Sequence, residues 1–295
     1  MERYEIAVIG SGPAGVSAAL NAKIRGKSLL LFGSKQLSDK VLRSEKISNY
    51  PGLPDISGEE LVGRLQKQLV EMEISVTEEA VTSIYPMGNF FTLLAGQKEY
   101  EAETVILTGG AGTAARIPGE EKLLGRGVSY CATCDGNLYR GKTIAVVCDT
   151  PTMESEAAFL AELAGKVYYL PLMKNSTLSG ANVENLHSAV REIQGEERVS
   201  GVVLADGTQL AVDGIFFIRN SVPPAVLLRN LKMQENHVAV DRQMHTNVEG
   251  FFAAGDCTGR PYQIAKAVGE GNIAAHAAVE YLDSRKNSAG GNYAD

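Results

Sequence analysis

The chain has 295 residues, of which 44% are hydrophobic and 21% charged, and its formal net charge is −7. This length accommodates two domains, and the composition is that of a globular chain rather than a disordered one. The acidic balance argues against nucleic acid as the main partner, because phosphate backbones are gripped by excess Lys and Arg. No apolar run approaches the roughly 20 residues of a membrane helix, and the chain opens without a leader pattern. We therefore expect a cytoplasmic protein that does not bind membranes.

The N-terminal segment predicts a strand–turn–helix–strand unit. Its apolar run YEIAVI is typical of a buried parallel strand. Residues 14–25 have helical spacing and end at Gly26, and SLLLF is the next strand. Further on, Ser57 and Glu60 have the spacing of a capping box, which predicts the start of another helix.

A second unit of the same kind is predicted from Lys142 to Leu170. Its helix is expected to begin with Thr150 as N-cap and Pro151 at the first helical position. Two βαβ units in one chain predict two related α/β domains. A last helix is predicted over residues 263–282, and the polar, glycine-rich tail that follows is expected to fray.

The first turn carries Gly10, Gly12 and Gly15 in the spacing G-x-G-x-x-G between a strand and a helix. Gly10 permits the tight turn, Gly12 lets a pyrophosphate approach the backbone, and Gly15 allows close packing of helix on strand. This pattern predicts a dinucleotide site. The acidic residue that commonly holds the ribose about 20 residues further on is absent, since Gly33 and Ser34 stand there. Ser34 or backbone groups are the candidate substitutes.

A C-x-x-C pair, Cys131 and Cys134, is followed at once by Asp135. Two thiols at this spacing can close a disulfide and exchange electrons with another dithiol. Half of a structural zinc site is the alternative, but such a site needs two further ligands and the sequence holds no second C-x-x-C. Cys148 and Cys257 stand alone and are expected to be buried small residues. The pattern favours redox use, with no metal.

Three motifs occur in the order GSGPAG, GRGVSYCATCDG and FFAAGDCTG, and together they resemble the low-molecular-weight thioredoxin reductases. The resemblance covers nearly the whole chain. It implies an α/β fold with two Rossmann-like, three-layer domains. One is a discontinuous FAD domain, residues 1–112 and 240–295, and the other is an inserted central domain, residues 113–239, that carries the redox disulfide. It also implies a homodimer.

The resemblance implies an FAD site drawn from both halves of the FAD domain. Its pyrophosphate loop is Gly10, Ser11, Gly12, Pro13, Ala14 and Gly15. The remaining positions are Ser34, Gln36 and Asn49, Val81 beside the adenine, Thr108 and Gly109 at the crossover, Gly255 and Asp256 at the ribityl chain, and Gln263 and Ile264 near the isoalloxazine ring. Tyr262 stands where the family has an arginine.

The resemblance also assigns the chemistry of the cysteine motif. It implies that Cys134 faces the flavin, that Cys131 attacks the disulfide of thioredoxin, and that Asp135 supplies protons to the thiolates.

The second βαβ unit lacks the features through which the family binds NADPH. Residues 148–153 replace its glycine loop, and Asp149 places a negative charge where a pyrophosphate would sit. Residues 171–173, Pro-Leu-Met, replace the His-Arg-Arg triplet that grips the 2′-phosphate. Arg219 replaces a glycine near the nicotinamide. We therefore predict that NADPH is not the electron donor.

This combination is most similar to the ferredoxin-dependent flavin thioredoxin reductases, which are independent of pyridine nucleotides. The resemblance implies reduced ferredoxin as donor and thioredoxin as substrate. A second flavin, a deazaflavin or weakly bound NAD(P)H is an alternative donor, and a non-catalytic FAD-binding redox sensor is an alternative from another class. Since ferredoxins are acidic, Lys35, Lys40, Arg43 and Lys46 are candidates for a basic docking surface, against the simpler interpretation of a solvated face.

Overall fold

The computed structural model describes residues 2–96, 98–109, 117–120, 122–130, 132–173, 176–218 and 222–290. The chain divides into two compact units. One comprises Met1–Thr113 with Pro223–Asp295, and the other comprises Ala114–Val222. The chain thus leaves the first unit once and returns to it.

The first unit begins with strands and helices in alternation. In chain order they are β1 (Arg3–Ile9), α1 (Pro13–Ile24), β2 (Leu29–Phe32), α2 (Asp39–Leu42), α3 (Gly58–Glu71), β3 (Val76–Thr77), β4 (Val81–Pro86), β5 (Phe91–Ala95) and β6 (Lys98–Leu107).

The second unit carries short 3₁₀ turns at Gly136–Tyr139 and Pro151–Met153 besides its regular elements. Those elements are β7 (Val128–Ser129), α4 (Ala132–Asp135), β8 (Thr143–Cys148), α5 (Glu154–Leu163), β9 (Lys166–Pro171), β10 (Val183–Asn185), β11 (Val190–Gln194), β12 (Gly201–Leu204), β13 (Gln209–Ala211) and β14 (Gly214–Ile218).

The chain then returns to the first unit, where a 3₁₀ turn at Gly255–Thr258 precedes the last helix. The returning elements are α6 (Pro224–Leu227), β15 (Met233–Gln234), β16 (His237–Val238), β17 (Phe251–Ala253) and α7 (Ile264–Gly290).

The sheet of the first unit is built around β1 and β6. Its parallel part has the order β3-β2-β1-β6-β17, and β4 and β5 extend β6 as an antiparallel meander. Val8 pairs with Leu31 on one side and with Ile106 on the other, and all three side chains are buried. Burial on both faces explains why β1 reads as a continuous apolar run rather than an alternating one.

The second unit has a parallel sheet of its own, with the order β10-β9-β8-β14-β7, and an antiparallel sheet β11-β12-β13. In the parallel sheet, Val146 of the central strand β8 pairs with Tyr169 and with Phe216, and all three side chains are buried. Two parallel sheets with helices between their strands confirm the predicted α/β class.

The predicted helix starts and ends hold in the first unit. Ser57 caps α3, since its Oγ accepts a hydrogen bond from the backbone N–H of Glu60 at 3.1 Å. The carboxylate of Glu60 bonds Arg64 at 2.7 Å. Helix α1 ends at Ile24, and Gly26 follows in the left-handed region with φ +69°.

Two predicted boundaries are wrong. Thr150 and Pro151 open a 3₁₀ turn, and the α-helix itself begins at Glu154. The last helix does not end at residue 282 but continues to Gly290, because its last turns contain no proline and no internal glycine to break it. The tail was expected to fray from residue 287, yet residues 287–290 are helical, and residues 291–295 lie outside the described part of the chain.

Helices α1 and α7 pack closely because small residues line both. Ala14 and Ala18 of α1 and Ala274 and Ala278 of α7 are all buried. A Cβ on Gly271 of α7 would lie 2.1 Å from the carbonyl oxygen of Ala14. The two helices therefore meet backbone to backbone at this point.

Gly271→Ala should destabilise the protein by about 1–3 kcal/mol, because the added methyl group overpacks a contact made by backbone. Gly269→Ala, two residues earlier in α7, is the matched control, since a Cβ there meets nothing within 4 Å. There alanine should raise stability by up to about 1 kcal/mol. Urea unfolding followed by circular dichroism measures both, and equal effects would contradict the packing described.

Candidate functional site

In the glycine loop between β1 and α1, Gly10 and Gly15 lie close to other backbone atoms, whereas Gly12 faces open space. Gly10 has φ +114°, and a Cβ on it would lie 2.8 Å from the backbone nitrogen of Gly109. A Cβ on Gly15 would lie 1.8 Å from the carbonyl oxygen of Gly10. A Cβ on Gly12, by contrast, would meet nothing within 4 Å. The loop is packed at its ends and open in the middle, where a ligand can approach the backbone.

The N-terminus of α1 points its backbone N–H groups toward this opening. Gly12 is the N-cap and Pro13 occupies the first turn, and no side chain of the described residues caps this end. Such an end favours an anion, because the first N–H groups of a helix lack intrahelical acceptors. The uncapped turn and the free space at Gly12 fit the pyrophosphate of FAD.

Ser34 lies against the same loop. The Ser11 hydroxyl is 2.9 Å from the carbonyl oxygen of Ser34 and accepts a hydrogen bond from its N–H at 2.9 Å. A Cβ on Gly33 would fall 2.3 Å from Ser11 Oγ. Gly33, which stands in place of the usual ribose-binding acid, is therefore required by the Ser11 side chain.

The end of β6 supports the loop from below. The buried Thr108 has its Oγ1 3.1 Å from the carbonyl oxygen of Ile9 and 2.9 Å from that of Gly10. Gly109 follows directly. The structure thus brings together Thr108, Gly109 and the glycine loop.

The turn that carries Gly255 and Asp256 is held by two residues that sequence reasoning missed. Lys266 donates to the carbonyl oxygens of Gly255, at 2.6 Å, and Gly259, at 2.8 Å. Glu270 accepts from the N–H of Gly255 at 2.8 Å and pairs with Lys266 at 2.9 Å. Both side chains are mostly buried. The i, i+4 spacing of Lys266 and Glu270 on a helix was the available signal.

Asp256 itself forms an ion pair with Lys40 at 2.7 Å. The Lys40 ammonium lies 5.2 Å from the ring centroid of Tyr262, the residue that replaces the family's arginine. The Tyr262 hydroxyl is 2.7 Å from His237 Nε2. A cation therefore remains beside this part of the site, supplied by Lys40.

The other predicted residues of the FAD site fall into two groups. Asn49 Nδ2 contacts Gln263 Oε1, and Ile264 follows as the first residue of α7, so these three are brought together. Gln36 is exposed, and Val81 is buried at the start of β4, where it pairs with Ala95.

The candidate docking lysines already have acidic partners. Lys35 pairs with Glu78 at 2.7 Å and Lys46 with Asp55 at 2.9 Å, and Lys40 pairs with Asp256. The charges of these three lysines are therefore largely balanced by neighbouring carboxylates.

Two residues of the cysteine motif, Cys134 and Asp135, lie on the short helix α4. Cys134 is exposed and disulfide-bonded, and Cys131 lies outside the described residues. Asp135 Oδ2 accepts a hydrogen bond from the buried Ser129 Oγ at 2.7 Å. Ser129, which the sequence reasoning did not single out, orients this carboxylate.

The remaining cysteines are free and buried, as predicted. Burial raises the pKa of Cys257 to about 12 and also raises the pKa of Cys148. Both thiols therefore stay protonated near neutral pH and are poor nucleophiles. Among the residues that the structure describes, no cluster of three or more His, Cys, Asp or Glu is arranged to hold a metal ion.

The turn after β8 differs from the glycine loop. Cys148 and Thr150 are buried in it, and Cys148 Sγ is 3.3 Å from the carbonyl oxygen of Thr150. The described residues directly after β9, Leu172 and Met173, carry no charge, and Leu172 is an exposed apolar side chain. Arg219 lies outside the described residues. These side chains do not fit a nucleotide pyrophosphate, which needs a bare backbone at this turn.

No helix in the described part of the chain is long and apolar enough to span a membrane.

The comparisons with known proteins agree with this geometry. The family model described as pyridine nucleotide-disulphide oxidoreductase matches residues 4–271. A thioredoxin reductase of Treponema pallidum (strain Nichols) is 35% identical over 303 residues, which cover 96% of this chain and 99% of that protein.

Two solved structures of a ferredoxin-flavin thioredoxin reductase from Clostridium acetobutylicum are also similar. One is 48% identical with a TM-score of 0.85 and covers 97% of this chain and 99% of that one. The other is 45% identical with a TM-score of 0.90 and covers 96% and 99%.

Lys266→Met should weaken FAD binding about tenfold or more and cost about 2–4 kcal/mol of stability, because Glu270 loses its cation in a mostly buried place. Flavin retention on dialysis and thermal melting measure the two effects. Lys286→Met is the matched control on the same helix, since Lys286 pairs with Glu5 at the surface and such pairs contribute about 0–1 kcal/mol. Equal flavin retention in both variants would contradict the role of Lys266.

Proposed function

Because this chain belongs to the thioredoxin reductase family of pyridine nucleotide-disulphide oxidoreductases, we propose that it reduces thioredoxin with electrons from reduced ferredoxin, not from NADPH. In this proposal FAD binds at the glycine loop, and Cys131 and Cys134 form the redox disulfide. The enzyme acts as a homodimer whose FAD domain is discontinuous.

The residues that would hold FAD are those gathered around the N-terminus of α1. Gly12 leaves space for the pyrophosphate, Ser11 and Ser34 form the wall beside it, and Asp256 is presented by the turn that Lys266 and Glu270 hold. When bound, FAD supplies a carrier that can accept electrons singly and deliver them in pairs.

The state of the cysteines supports the disulfide. Cys134 is exposed and disulfide-bonded, whereas Cys148 and Cys257 are free and buried. Thiol–disulfide exchange needs an accessible sulfur, and among the cysteines that the structure describes Cys134 is the exposed one.

The thiol steps follow from this arrangement. Once the pair is reduced, the Cys131 thiolate attacks the disulfide of thioredoxin and forms a mixed disulfide. The Cys134 thiolate then displaces the thioredoxin thiol and re-forms the Cys131–Cys134 bond. Asp135, oriented by Ser129, passes protons to and from the sulfurs.

The observation that carries the choice of donor is the filled turn after β8. Buried Cys148 and Thr150 occupy the place of a glycine loop, while the first loop keeps its opening at Gly12. The similarity to the ferredoxin-flavin thioredoxin reductase of Clostridium acetobutylicum supports the same choice.

The proposed transfer is downhill. Plant-type ferredoxins have potentials near −400 mV and thioredoxin lies at about −270 mV. The difference of about 130 mV corresponds to about 6 kcal/mol for an electron pair. A reduced iron–sulfur protein can therefore drive thioredoxin reduction without a nucleotide.

Thioredoxin reduction should proceed with chemically reduced ferredoxin and stay at least a hundredfold slower with NADPH, because buried Cys148 and Thr150 fill the turn at which a nucleotide pyrophosphate would approach the backbone. The appearance of thioredoxin thiols measures the rate. A typical NADPH-dependent thioredoxin reductase, run with the same thioredoxin, is the control that NADPH and substrate are competent. Rapid turnover with NADPH would contradict the proposed donor.

Cys131→Ser should abolish thioredoxin reduction while FAD stays bound and reducible, because the attacking sulfur is lost and the flavin site is not touched. Cys148→Ala is the matched control. It removes a buried thiol that takes no part in exchange, so its turnover should stay within about twofold of the parent protein. If Cys131→Ser still reduced thioredoxin, the assignment of Cys131 would be wrong.

A further inference from the structure

Glu154, the first residue of α5, accepts several hydrogen bonds, although the proposed function gives it no role. Its carboxylate accepts from side chains and backbone that all lie on β9 or in the segment after it. The donors are Ser176 Oγ at 2.6 Å, Thr177 Oγ1 at 2.7 Å, Tyr169 Oη at 3.0 Å, the N–H of Thr177 at 3.1 Å and the N–H of Leu178 at 3.3 Å.

These contacts keep Glu154 ionised. Partial burial opposes the charge, but the hydrogen bonds from Ser176 and Thr177 outweigh it and lower the pKa of Glu154 to about 2. Burial raises the pKa of Tyr169, so its hydroxyl stays protonated and can donate. A full negative charge therefore sits on this carboxylate at every physiological pH.

Glu154 lies at the place in the βαβ unit where related folds bind a phosphorylated ligand. In parallel α/β folds, phosphorylated ligands bind beyond the carboxyl ends of the strands, between a helix N-terminus and the segment that follows the next strand. Glu154 stands at the helix N-terminus, and residues 176–178 belong to the segment after β9. The carboxylate therefore links the N-terminus of α5 to residues 176–178, and a nucleotide phosphate would bind between the same two elements.

A carboxylate and a phosphate need the same partners. The hydroxyls of Ser176 and Thr177 and the N–H groups of Thr177 and Leu178 are typical phosphate donors, but here all of them are committed to Glu154. A phosphate would meet a like charge at close range and no uncommitted donor among these groups.

We propose that Glu154 is the specificity-determining residue of the second βαβ unit, where its carboxylate takes the place of a nucleotide phosphate. This inference rests on the proposed function and goes one step beyond it. The unit excludes phosphorylated nucleotides because an internal anion occupies its donors, and the loss of the glycines is only part of the cause.

The test is a calorimetric titration of adenosine 2′,5′-bisphosphate, and separately of inorganic phosphate, into the oxidised, flavin-bound protein. The parent protein should show no saturation, so the highest concentration titrated sets a lower limit on its Kd, and each variant is compared with that limit. Glu154→Ala frees the donors of residues 176–178 and should bind the bisphosphate at least tenfold more tightly than the parent. Glu154→Gln removes the charge but keeps the bulk, and should gain at least threefold.

Two further variants make the test specific. Glu156→Gln removes a negative charge from the same first turn of α5, but Glu156 accepts a hydrogen bond from Thr133 and none from residues 176–178, so binding should stay within about twofold of the parent. Adding Thr177→Val to Glu154→Ala removes one of the freed donors and should reverse at least threefold of the gain.

Folding is checked by thermal melting and flavin content, and Glu154→Gln decides the matter if Glu154→Ala does not fold. The inference is overturned if folded Glu154 variants bind no more tightly than the parent, if Glu156→Gln gains as much as they do, or if the parent itself binds the bisphosphate. A separate assay with NADPH distinguishes a failure of the Glu154 inference from a failure of the proposed electron donor. If NADPH fails to reduce the parent flavin while the Glu154 variants gain nothing, only the role of Glu154 is lost.

Discussion

The backbone contact between Gly15 and the carbonyl oxygen of Gly10 is the constraint on which the candidate site depends. It sets the first turn of α1 directly against the end of β1. The same turn then meets the C-terminal part of the chain, because a Cβ on Gly255 would lie 2.9 Å from Ala14 Cβ and one on Gly271 would lie 2.1 Å from Ala14 O. Segments separated by some 240 positions in the sequence are thus fixed around one helix N-terminus, with Gly12 left open between them.

The second unit has the same order of strand, turn and helix as the first, but its turn lacks the open glycine loop. Both units lead a buried parallel strand into a helix, but the turn after β8 has buried Cys148 and Thr150 where the first loop has glycines. The segment after β9, which in such folds faces the ligand, is bonded to Glu154. One unit therefore keeps a site for a pyrophosphate and the other satisfies its own donors. This division is the basis of the proposal that electrons reach the flavin from a partner protein.

Much of this was predictable from sequence because it depends on local sterics. The roles of Gly10 and Gly15, the cap at Ser57 and the burial of Cys148 and Cys257 follow from residue type and spacing. The supports of the site were not predictable in this way. The partners of Glu154 lie 15 to 24 positions away, and Lys40 is 216 positions from Asp256. Helix and strand periodicity does not predict contacts at such separations. The end of α7 was placed too early because polar and small residues after Leu282 were taken for a frayed tail, whereas such residues can continue a helix where no proline interrupts it.

The most direct measurement is an anaerobic titration of the purified protein followed by its flavin absorbance. Reduced ferredoxin should bleach the oxidised flavin band with about two electrons per flavin, and a large excess of NADPH should leave the band unchanged over the same time. Rapid bleaching by NADPH would contradict the account, because it would require a nucleotide to deliver hydride in a unit whose phosphate donors are committed to Glu154.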